Sequence, residues 1–108
     1  MKKVFMVSEQ GIDVTENQGR YPWESNGRTL CLCDTLETAL TYVNEYIPKQ
    51  IKSAQDDVYD VEHVNVYVES FDEKMIGTWV TYMDVTDTSE PHHKCEFSLL
   101  IKEWPVIE

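Results

Sequence analysis

The chain has 108 residues, 42% of them hydrophobic, with 20 Asp and Glu against nine Lys and Arg, for a net charge of −11. That length suits a single domain, and the apolar content is too high for a disordered acidic tail. No apolar run reaches the ~18 residues of a membrane span, residues 4–7 are too short an apolar stretch for a signal peptide, and the charge disfavours binding nucleic acid by phosphate neutralisation.

In chain order, residues 2–8 read as a strand, because Val4, Phe5, Met6 and Val7 form a continuous apolar run suited to burial on both faces. Gln10-Gly11 predicts a turn, with Ile12 and Val14 returning as a short strand. Asn26-Gly27 predicts a type I′ hairpin, whose two central residues both need positive φ. Folding symmetrically about it pairs Trp23 with Leu30 and Tyr21 with Leu32 on one face. Pro22 lacks an N–H and confines its arm to a sheet edge.

Asp34 followed by Glu37 predicts a helix start with a carboxylate at the third position. Leu36, Ala39, Leu40, Val43 and Ile47 then repeat at the helical period as one apolar stripe. Pro48 predicts that the helix ends or kinks, with Ile51 and Ala54 extending the stripe beyond the bend. Asp56-Asp57 predict termination, since the macrodipole favours cations at a helix C-terminus.

Three further strands are expected. In the first, Val64, Val66 and Val68 share a face. In the second, running from Ile76 to Val85, Trp79, Met83 and Val85 alternate with Val80 and Tyr82. In the third, Cys95, Phe97, Leu99 and Ile101 alternate with Glu96, Ser98, Leu100 and Lys102. Short links suit a meander, and the apolar tail from Trp104 to Ile107 is expected to tuck against the sheet or add to a dimer edge. The expected fold class is α+β: an antiparallel sheet of four to six strands with one main helix, ended or kinked at Pro48, packed on one face.

The charge is unevenly placed. Residues 1–54 hold six cations and seven acids, or −1, whereas residues 55–108 hold three cations and 13 acids, or −10. Between Ser53 and Glu73 there are seven carboxylates and no Lys or Arg. One reading is solubility alone. The functional reading is a negative face that docks on a basic surface, with steering raising the association rate. On the predicted fold, Glu69, Asp84 and Glu96 face water and join Asp56, Asp57, Asp60, Glu62, Asp72, Glu73, Asp87 and Glu90 in one surface. Strands ~4.8 Å apart, with alternate residues ~6.8 Å apart, let such a grid loosely imitate phosphate spacing.

Other chemistry is thinly signalled. Cys31 and Cys33 fall on one side of a strand, as do His93 and Cys95, so adjacent strands would let three thiolates and an imidazole enclose zinc. The competing reading is that these cysteines pack as small hydrophobes. Three cysteines with no export signal suggest reduced thiols in a cytosol. With four glycines in all there is no phosphate-cradling loop or dinucleotide fingerprint. No cysteine has an activating cluster, and acids are too abundant for any pair to be informative. A non-enzyme without a cofactor is expected. Arg20, Tyr21, Trp23 and Arg28 are residue types of interface hot spots and mark a second candidate contact region. Equally, those aromatics suit a hairpin capping the end of the core.

In charge and size, carried by Asp56-Asp57-Val58-Tyr59-Asp60-Val61-Glu62 and the later acids, the chain resembles the small acidic proteins that phages and mobile elements use against host nucleic-acid machinery. DNA mimics and many anti-CRISPR proteins belong to that group, which shares no common motif or fold. The resemblance implies stoichiometric inhibition in the host cytoplasm, by occupying a protein's basic nucleic-acid-binding surface without turnover. It implies no direct contact with nucleic acid or membrane and leaves the oligomeric state open. Arg20 and Arg28 depart from a pure mimic. Two alternatives are a metal- or redox-responsive domain using Cys31, Cys33, His93 and Cys95, and an assembly protein that oligomerises by strand addition.

Overall fold

Two 14-residue strands, β1 (Lys2–Thr15) and β6 (His93–Val106), pair antiparallel along their whole length, from Lys2 opposite Val106 to Thr15 opposite His93. The structure, a computed structural model, describes residues 2–15, 19–22, 27–56, 64–86 and 93–106, with backbone alone for 13–15, 19–22 and 93. One edge of β1 is shared by two short strands. There β2 (Gly19–Pro22) pairs with residues 12–15 and β3 (Arg28–Cys33) with residues 5–9. Beyond β6 lie β5 (Val80–Thr86) and β4 (Val64–Val66), so the antiparallel order is β2-β1-β6-β5-β4, with β3 also on β1. The helix α1 (Leu36–Asp56) packs on one face. This is the expected α+β architecture. Among the described residues no helix is long and apolar enough to cross a membrane.

The core follows from the two periodicities meeting. Ala39, Val43 and Ile47 of α1 are fully buried against Val7, Leu99 and Ile101 of the sheet. Residues 7, 99 and 101 share a face because Val7 pairs with Ile101 and the strand repeat is two. Thr35 caps the helix, accepting the Thr38 N–H on its hydroxyl at 3.1 Å, one residue later than Asp34 was expected to do so. Pro48 does not end the helix. It is exposed, and half-buried Ile51 and Ala54 continue the apolar stripe beyond it, so core packing sustains the helix across the missing hydrogen bond. The described helix runs to Asp56, and the expected termination at Asp56-Asp57 falls at the edge of the described residues, Asp57 lying outside them.

Three local expectations are overturned. Gln10-Gly11 makes no turn: Gly11 lies in the ladder opposite Phe97, where β6 offers a continuous partner. Gly27 does adopt a left-handed φ of 77°. However, β2 and β3 each pair with β1, leaving Tyr21 opposite Asp13 and Leu32 opposite Met6, so the pairing of Tyr21 with Leu32 is absent. Trp23 and Asn26 lie outside the described residues. The third concerns β5, which starts at Val80 because a 3-10 helix (Glu73–Met75) and Gly77, with φ 88°, occupy the preceding residues. A bulge between Thr81 and Met83 then breaks the alternation, so that consecutive Tyr82 and Met83 are both buried. Pro22 does sit on an edge strand, and residues 104–106 complete β6 against residues 2–4.

Candidate functional site

The first half of α1 and the segment after β4 enclose an open groove of about 600 Å³. Its lining comprises Leu36, Glu37, Leu40, Thr41, Asn44, Glu45 and Glu73. Six of these seven are helical, at offsets 0, 1, 4, 5, 8 and 9 from Leu36, which puts them on one broad face of the helix. Asn44 positions the opposite wall. Its Oδ1 accepts the Phe71 N–H at 2.6 Å and its Nδ2 donates to the Phe71 carbonyl at 3.2 Å. With Phe71 itself buried, residues 69–73 are anchored to the helix at one point. Asp72 then caps the 3-10 helix, accepting the Lys74 N–H at 2.8 Å, and Glu73 reaches the groove.

Half-buried Leu36 and Leu40 contribute apolar surface to a lining whose three ionisable groups are all carboxylates, on exposed Glu37, Glu45 and Glu73. Glu69 and Asp72 are exposed on the same anchored segment, as is the cation Lys74. Such a lining suits a cationic side chain carried on an apolar stem, as Lys and Arg are.

Other acids expected at the surface are not there. Asp84 is 1% exposed and Glu96 8% exposed, on the sheet face opposite α1. They are direct cross-strand partners. Asp84 accepts hydrogen bonds from Asn65 Nδ2 at 2.9 Å and from the Tyr67 hydroxyl. Lys94 Nζ lies 3.8 Å from Asp84 and 3.6 Å from Glu96. The Tyr67 phenol is pushed up to about 12, first by its bond to Asp84 and then by burial. Asp84 therefore belongs to an internal polar network, a correction to its place in the acidic surface. Neighbouring strands shield both of its flanks, which its alternation with apolar residues does not reveal.

A third carboxylate, Glu9, lies on the helix-facing side. It accepts the Tyr46 hydroxyl on Oε1 and the Tyr82 hydroxyl on Oε2, each at 2.7 Å, with Arg28 Nη2 3.4 Å from Oε1. Burial raises the Tyr46 phenol, its hydrogen bond to Glu9 adding to the shift; burial and then the charge of Glu9 raise the Tyr82 phenol. Tyr46 comes from α1 and Tyr82 from β5, so one side chain of β1 ties the helix to the sheet.

The remaining candidates are dispersed. Asp56 is exposed at the end of α1, far along the helix from the groove, while Asp57, Asp60, Glu62, Asp87, Glu90 and Trp23 lie outside the described residues. Arg20 and Tyr21 lie in edge strand β2, opposite Val14 and Asp13, and Arg28 is exposed in β3. The four-ligand zinc set does not converge. Cys31 and Cys33 sit opposite Val7 and Phe5, whereas Cys95 and His93 sit opposite Asp13 and Thr15. Val7 and Asp13 are six positions apart along β1, about 20 Å at ~3.4 Å per residue, so no single ion is shared. The first two do meet, with sulfurs 3.5 Å apart.

Glu37 and Glu45 are groove residues that sequence reasoning did not select. Their spacing of eight, with Thr41 midway, was a readable signal of a shared helical face. That Glu73 joins them was not readable, because it depends on the Asn44–Phe71 contact. No protein-family model matches this chain, and no curated protein or solved structure matches it.

Proposed function

We propose that this is an interaction protein that binds a basic nucleic-acid-binding surface of another protein and inhibits it stoichiometrically, without turnover. The observation that carries this reading is the groove, whose three carboxylates flank Leu36 and Leu40 in a chain of net charge −11. An Arg or Lys of the partner would lay its stem on the leucines and its charge among Glu37, Glu45 and Glu73. Exposed Glu69 and Asp72 supply further negative potential, which steers a basic partner during approach. Relative to the acids proposed from sequence, Asp84 drops out of the contact surface and Glu37 and Glu45 enter it.

The test is affinity capture from a nuclease-treated bacterial lysate with the immobilised protein, across a range of salt. The expected catch is a basic nucleic-acid-binding protein, released by raised salt and by added double-stranded DNA. Against that purified partner, the triple variant Glu37→Lys, Glu45→Lys, Glu73→Lys should associate about tenfold or more slowly, with an unchanged circular dichroism spectrum. Binding that ignores both salt and the triple reversal would remove the basis for the proposal.

A further inference from the structure

Cys31 and Cys33 are alternate residues of β3, so the strand pleat directs both thiols to the side of the sheet that α1 covers. Their sulfurs lie 3.5 Å apart, Cys33 buried and Cys31 half-buried, and among the described residues β3 pairs with β1 alone. We propose that these two thiols form a chelating site for one thiophilic atom of low coordination number, fitted best by the arsenic of a monosubstituted trivalent arsenical.

Geometry separates this reading from its two rivals. With about 2.3 Å from each sulfur to a shared atom, the 3.5 Å separation subtends about 99°, so chelation requires little movement of the strand. A disulfide would draw the sulfurs in to about 2.05 Å, while alternate strand residues are ~6.8 Å apart at Cα, the upper limit for a bridge. Tetrahedral zinc would need two more ligands, and among the described residues no group of three or more Cys, His, Asp or Glu is placed to hold a metal. A monosubstituted arsenical needs only two sulfurs, because its carbon substituent fills the third position.

The condensation balances without oxidant or reductant. Two S–H bonds and the arsenic–oxygen double bond break, two S–As bonds form, and the thiol protons leave with the oxygen as water. Arsenic stays trivalent throughout. Burial and the neighbouring sulfur push the Cys31 thiol up to about 11, which holds it protonated near neutrality and makes it a slow nucleophile toward simple alkylating agents. A condensation that removes its own protons as water is less penalised by that shift.

The probe is phenylarsine oxide, titrated into the native protein, with thiol counting and native mass spectrometry as readouts. One equivalent should bind and mask two of the three thiols. Excess dithiol should reverse the adduct, and excess monothiol should not. Cys31→Ser and Cys33→Ser should each weaken binding by about a hundredfold or more, the loss expected when a two-point attachment becomes one-point, while Cys95→Ser should bind as the parent does. Cys31→Ala and Cys33→Ala provide a second pair should a buried serine compromise folding. Full affinity in the Cys31 or Cys33 variants, or ready reversal by monothiol, would overturn the assignment.

Discussion

Tyr82→Phe removes a single oxygen atom from a fully buried side chain, and its consequences can be worked from the surroundings of Glu9. The lost group is a hydroxyl donating at 2.7 Å to a carboxylate that is itself only 12% exposed. A hydrogen bond to a charged partner contributes about 1.5–3 kcal/mol. Glu9 keeps Tyr46 at 2.7 Å and Arg28 at 3.4 Å, so the lower half of that range applies, about 2 kcal/mol. For a domain of this size that corresponds to a drop in Tm of about 8–16 °C. The same hydroxyl makes a second, pH-dependent signature. Burial and Glu9 raise the Tyr82 phenol above its ordinary value of 10.0, so the folded protein retains a proton that the unfolded chain releases above that pH. Its contribution is therefore fully present below pH 10 and is lost as pH rises beyond it, by about 1.4 kcal/mol per pH unit. Urea denaturation followed by circular dichroism, near neutrality and in steps above pH 10, reads both effects. The variant should be less stable near neutrality and should show the shallower alkaline decline. A variant within about 0.5 kcal/mol of the parent, with the same alkaline slope, would refute the view that Glu9 ties the helix to the sheet through these phenols.

Two further substitutions probe other parts of the fold. Gly27→Ala would place a Cβ 2.6 Å from Trp79 Cη2 and 3.0 Å from the Glu9 carbonyl oxygen at a φ of +77°, so a loss of about 2 kcal/mol or more is expected in the same denaturation assay. Lys94→Met leaves the buried Asp84 and Glu96 facing each other without the half-exposed ammonium beside them, and should cost about 1–2 kcal/mol. Adding Asp84→Asn, which removes one of the two like charges, should recover part of that loss when the double variant is compared by thermal melting.

Much of the fold was legible in the chain because it rests on local periodicity. The stripe from Leu36 to Ile47 names its buried face from spacing alone, and the alternation from Cys95 to Ile101 names the face that meets the helix, although Glu96 and Ser98 on the other face are buried as well. Punctuation was less dependable. Gly11 and Pro48 carry strong local preferences for a turn and a break, yet a 14-residue partner strand and a continuous apolar stripe override them. At the candidate site, the acidic character of residues 69–73 was readable, whereas the groove required the Asn44–Phe71 contact across 27 positions.

Composition and the periods of two and 3.6 residues were enough for the class of fold, the net charge of −11 and the concentration of acids in the second half. Which carboxylates face water and which are internal depends on the folded neighbours. Glu37, Glu45 and Glu73 line an open groove, while Glu9, Asp84 and Glu96 are enclosed by residues from other strands and the helix. A charge count is a property of the chain, whereas exposure depends on neighbours brought together by non-local pairing. A β-bulge at Tyr82, or a strand that pairs with β1 in place of its neighbour in sequence, changes those neighbours without altering a single charge.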